Sequence, residues 1–197
     1  MKKILFSMLA VLAIICANTS AYAADSGSAS TVNRKMYGYF NYNGALAGAY
    51  GFCSLNLNDL SKADVIYPYG NMKSIYSGAA VDDVFYAYEY VYDSFIGPQN
   101  GDFISYNITT GRYTVLGSEG LAAQGTNFKT QDMTYDYSSK TMYAIGFFQG
   151  ESALYSVNLK DGMLTKVTTL QKTLGVIAAD MDGTLYGVGA NDGVLYK

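Results

Sequence analysis

The sequence predicts an all-β chain made of repeated four-stranded antiparallel units. Three observations predict it. Gly (21 of 197 residues) and Tyr (20) are abundant while Pro numbers only 2, a balance suited to pleated strands joined by tight turns. Turn pairs such as Asp161-Gly162 and Asp182-Gly183 stand between short apolar runs, where Gly supplies a positive φ. A core of Ser-x-Asn followed by an apolar residue recurs at Ser54, Ser105 and Ser156, each 51 residues from the last.

The units can be justified in order along the chain. The first core is Cys53-Ser54-Leu55-Asn56-Leu57, preceded by an apolar strand over 35–39. No strand is expected before that one, because residues 24–33 are small and polar. The second core is Ser105-Tyr106-Asn107-Ile108, preceded by a strand over 84–88 and followed, after Thr110-Gly111, by a strand over 112–116. The third unit is complete, with strands expected over 131–137, 141–147, 153–159 and 163–170. Its loops are short, so successive strands run antiparallel. A fourth unit has strands over 176–181, 184–188 and 194–197. The strand before each core carries a tyrosine at one repeated place: Tyr37, Tyr86, Tyr143 and, in the fourth unit, Tyr186.

Four antiparallel strands in units of about 40–50 residues are the mark of β-propeller blades. The stretch Thr141-Met142-Tyr143-Ala144, followed by Leu154-Tyr155-Ser156-Val157-Asn158-Leu159-Lys160-Asp161-Gly162, resembles the secreted bacterial propeller-repeat proteins. The resemblance covers residues 35–197 and implies a fold, not an activity. The Trp-Asp pair of WD repeats and the paired glycine of kelch repeats are both missing. A β-sandwich is the alternative for this many short strands, but the repeat in register argues for blades. About three and a half units are expected, fewer than the four to eight of a closed ring. The expectation is therefore an incomplete propeller, either a piece of a longer one or a chain whose open strand edges pair with another copy in self-association.

Residues 1–23 read as a signal peptide. Lys2-Lys3 open it, an apolar run over 4–17 follows, and Ala21-Tyr22-Ala23 places small residues at the cleavage site. The run is too short for a transmembrane span. Cys16 raises a lipoprotein reading, against which Ile15 counts, since a lipidated Cys follows a small residue. Residues 24–34 read as a disordered linker. The expected location is therefore exported: periplasmic, cell-surface or secreted. Cleavage leaves 11 basic against 16 acidic residues, a net charge of −5. The cations are scattered singly, so no nucleic-acid partner is expected. The remaining cysteine, Cys53, reads as a buried small hydrophobe.

Candidate chemistry is sparse. His is absent, which removes Ser-His-Asp and Cys-His catalysis and His-ligated zinc or haem within this chain. Asp180-Met181-Asp182-Gly183-Thr184 looks like the start of a calcium loop, but position twelve is Asn191 where a Glu is needed, and a hairpin turn explains it. No metal and no cofactor are expected. Asp82, Asp83, Glu89, Asp93, Asp132 and Asp136 include no pair at a readable spacing and read as solvated strand ends and turns. Tyr86, Tyr88, Tyr90 and Tyr92 alternate along one strand and share one face. Tyr86 belongs to the repeated set and reads as packing. Tyr90 and Tyr92 lie beyond it and are expected to be exposed, as ligand-binding residues. The function expected is an exported non-catalytic binding or scaffold module whose partner is an extracytoplasmic glycan, peptide or protein. The alternative is a propeller-type hydrolase or lyase acting on extracellular polymers.

Overall fold

The computed structural model describes residues 35–40, 51–56, 58–68, 74–93, 97–125 and 128–197. The signal peptide, Cys16 and the linker expected over 24–34 lie outside the described residues. Among those described, fourteen strands form four antiparallel sheets, the blade-like units of an incomplete β-propeller. The first sheet holds β1 (Lys35–Phe40), β2 (Gly51–Asn56) and β3 (Asp59–Pro68). The second holds β4 (Ser74–Val81), β5 (Val84–Asp93), β6 (Gly97–Asn107) and β7 (Tyr113–Gly117). The third is β8 (Lys129–Asp136), β9 (Thr141–Phe148), β10 (Glu151–Val157) and β11 (Leu164–Leu170). The fourth is β12 (Leu174–Ala179), β13 (Leu185–Gly189) and β14 (Leu195–Tyr196). A 3-10 turn, Ala122–Gln124, lies on the way from the second sheet to the third. No described helix is long and apolar enough to cross a membrane.

The repeat occupies equivalent places. Ser54 lies opposite Tyr37, Ser105 opposite Tyr86, and Ser156 opposite Tyr143. The Asn two residues on has a local task. Its side-chain oxygen accepts a backbone N–H from the turn that follows: Asn58 to Asn56 at 2.9 Å, Thr110 to Asn107 at 2.7 Å, Lys160 to Asn158 at 3.1 Å. Such side-chain turns compete well with regular backbone pairing, so the motif fixes where each strand ends. Gly111 and Gly162 then take φ of +71° and +75°. Gln149 and Gly150, both at positive φ, make the two-residue turn between β9 and β10.

Apolar faces meet between sheets. Phe52 of the first packs with Phe85, Ile104 and Tyr106 of the second, the Phe52 ring centroid 4.9 Å from that of Phe85. Tyr88, Tyr90 and Phe103 of the second pack with Met133, Tyr135 and Met142 of the third. Ile145 of the third packs with Leu174 and Ile177 of the fourth. Tyr37, Tyr86 and Tyr143 border these three interfaces in turn, a packing role for the repeated tyrosine. Cys53 is fully buried, and burial, with Asp64 nearby, pushes its thiol up to about 11, which leaves it protonated and unreactive at neutral pH.

Candidate functional site

The site is a polar seam along the first strands of the second, third and fourth sheets. β4 lies beside β8, and β8 beside β12. All three carry a register shift at the same place: between Ile75 and Ser77, between Thr130 and Asp132, and between Leu174 and Val176. The equivalence is fixed by the repeated tyrosines, which pair with Ala79, Thr134 and Ala178. A bulge of one residue re-aims the side chains around it. On β8 this lets Thr130 reach the second sheet while Asp132 and Thr134 reach the fourth.

Thr130 donates its backbone N–H to the Tyr90 hydroxyl at 2.6 Å, and its own hydroxyl lies 2.5 Å from that of Ser77. Asp132 accepts the Ile177 N–H at 2.8 Å, and Thr134 accepts the Ala179 N–H at 3.1 Å. Two side chains spaced by two on β8 thus serve two N–H groups spaced by two on β12. Asp132 is 2% exposed. Burial pushes its carboxyl up to about 7, against a smaller opposing pull from the N–H groups of Ile177 and Met133. Asp136, also buried, accepts from Ser138 and Ser139 in its own turn, and the Ser139 hydroxyl holds its carboxyl below the ordinary range.

Two sequence expectations are corrected. Glu89, Asp132 and Asp136 are not solvated strand ends: all three are buried, because β5 lies inside its sheet and β8, an edge strand, is flanked by β4 and β12 of the neighbouring sheets. Asp82 and Asp83 are exposed, as expected for a turn. The exposure expected for Tyr90 is also overturned. It is 1% exposed, since the third sheet covers that face of β5 and Thr130 takes its hydroxyl. Tyr88 beside it donates to the Gly162 carbonyl at 2.5 Å, and burial raises its phenol above the ordinary value. The Tyr92 side chain lies outside the described residues. Asp180 serves a hairpin turn, accepting N–H groups from Asp182 and Thr184 at 2.9 Å each. Among the described residues no group of three potential metal ligands converges.

Sequence reasoning missed the seam. Its signal was the alternation Asp132-Met133-Thr134-Tyr135-Asp136, polar residues at a period of two within a strand flanked by apolar units. Glu89 belongs to a second place, between the first two sheets. It accepts from the Tyr113 hydroxyl at 2.8 Å and borders, with Tyr39, Phe52, Phe85 and Tyr106, a cavity of about 10 Å³. That is room for about one water and not for a sugar ring.

No protein-family model and no curated protein matches the sequence. Solved structures do. A gluconolactonase from Xanthomonas campestris matches 74% of this chain and 51% of its own, at 7% identity and a TM-score of 0.50. The nidogen/laminin complex matches 71% of this chain and 50% of its own, at 16% identity and 0.49. A GH74 xyloglucanase from Xanthomonas campestris matches 82% of this chain and 27% of its own, at 12% identity and 0.44. The chain therefore spans about half the length of the first two. Of these three, the gluconolactonase likeness carries the fold, and at such low identity it carries the fold alone.

Proposed function

We propose that the chain is an exported, non-catalytic binding or scaffold module of β-propeller type, presenting the loops between its blades to a glycan, peptide or protein. The observation that supports this most is the state of the seam. Ser77, Tyr90, Thr130, Asp132 and Thr134 are engaged with neighbouring hydroxyls and backbone N–H groups, so they hold sheets together. Asp132 and Asp136 lie four residues apart on one strand, about 13 Å at 3.3 Å per residue. Paired carboxyls for glycoside hydrolysis stand about 5–9.5 Å apart. The connecting segments, on a scaffold of rigid sheets, are where a ligand would be met. Tyr92 keeps its ligand-contact role in this reading, and Tyr90 does not.

The second reading, a hydrolase or lyase on extracellular polymers, is favoured by one feature: burial pushes the Asp132 carboxyl up to about 7, the range of a general acid or base. One experiment separates the two. The purified chain is screened on a glycan array and incubated with the polysaccharides it retains. The expected result is binding without release of new reducing or unsaturated ends. Turnover by the wild type that is lost in Asp132→Asn would overturn the binding reading in favour of the enzyme.

A further inference from the structure

Asp132 is a buried carboxyl whose partners are backbone N–H groups and not a cation. It faces the fourth sheet, with Ile145 opposite it on β9 and Leu174 and Ile177 packed against that residue. β12 carries no titratable side chain. The titratable groups on the elements around it are Lys129, Tyr135 and Asp136 on β8, Tyr143 on β9, Tyr76 on β4 and Asp180 past the end of β12. Ser77 is the polar residue of β4 at the equivalent position, and its hydroxyl turns to Thr130. Lys129 begins β8 but makes no ion pair with Asp132 among the described residues. An ionised carboxylate here is stripped of water with no opposite charge to offset it.

We propose that Asp132 is a proton-operated latch between the third and fourth sheets: protonated, it stays buried under β12 with its carbonyl oxygen accepting the Ile177 N–H; ionised, its loss of water outweighs the stronger N–H bond and favours parting of the two strands so that water can reach the carboxylate. The Ala179 N–H, given to the Thr134 hydroxyl two residues on, joins the same two strands, so the two bonds open together. The sign follows from linkage. A carboxyl whose value is raised when buried binds its proton more tightly in the closed form than in the open one. Closure is therefore strongest below the ordinary carboxylate range, weakens as pH rises through about 7, and stays at the weaker level above that.

The test is amide hydrogen exchange by NMR on the full chain, with intrinsic rates corrected at each pH. Between pH 5 and pH 8, protection at Ile177 and Ala179 is expected to fall about a hundredfold, tenfold per unit up to the midpoint near 7. Amides paired between β5 and β6 are expected to keep their protection. In Asp132→Asn, whose amide oxygen can still accept the Ile177 N–H, the pH dependence is expected to vanish. The Asp132 carboxyl carbon, followed in the wild type, reads the same event without any variant: its midpoint is expected near 7, and the Ile177 amide shift should follow it. Equal protection of Ile177 at the two pH values, or a carboxyl midpoint below 5, overturns the proposal. Neither outcome bears on whether the loops bind a ligand, which is tested separately above.

Discussion

Tyr90 shows how one side chain can change meaning between a sequence and a structure. On a strand read alone it is the third tyrosine of a stripe. In the molecule it is a buried ring whose hydroxyl accepts the Thr130 N–H, a group on the bulged strand that has turned from its own sheet. Tyr90→Phe keeps the ring and removes that acceptor, and should cost about 1–3 kcal/mol, the penalty for a buried unpaired donor. Tyr90→Ala removes the ring as well and should cost about 3–5 kcal/mol. Urea denaturation of the two variants checks this ordering. A loss below about 0.5 kcal/mol in both would place Tyr90 on the surface after all.

At the scale of the element, the hairpin turns set the blades and are not equivalent to one another. Gly162 follows Asp161 between β10 and β11 at φ +75°, and a Cβ there would lie 2.3 Å from the Cβ of Phe103 in the second sheet. Its carbonyl also receives the Tyr88 hydroxyl. Gly150, between β9 and β10, has φ +87° and nothing within 4 Å. Gly150→Ala should therefore cost only the left-handed backbone, about 1–2 kcal/mol. Gly162→Ala should cost about 1–3 kcal/mol more, because the methyl group overpacks a buried interface. Thermal melts of both variants measure the difference, and equal losses would mean that the turn does not bear on Phe103.

At the scale of the molecule, each sheet buries its faces against a neighbour, and the fourth has only one neighbour among the described residues. Met181, Val194 and Leu195 are 68%, 48% and 64% exposed, and β14 pairs only with β13 there. An exposed apolar strand edge invites a further strand. The 197-residue polypeptide is expected to self-associate through this edge, and Leu195→Lys, a charge placed on it, to reduce the association. Light scattering across a concentration series decides: an unchanged monomer mass in the wild type would show that the edge is not used.

The sequence by itself determined the four strands of the third unit, the turn positions and the equivalence of Ser54, Ser105 and Ser156, because all three depend on local chemistry, while β3 and β4 emerged only in the structure. Asn side chains close the following turn, Gly takes positive φ, and period-two alternation sets the two faces of a strand. It also supplied the packing role of Tyr37, Tyr86 and Tyr143, since an equal position in equal units implies an equal neighbour. Which acidic residues are buried was decided by tertiary structure alone. Asp132 and Asp83 read alike along the chain, yet one lies in a seam and the other in a turn open to water. The difference arises from a one-residue bulge and from the sheet packed on top: the polar alternation along β8 marks a face, but the neighbour that covers that face is set by tertiary structure.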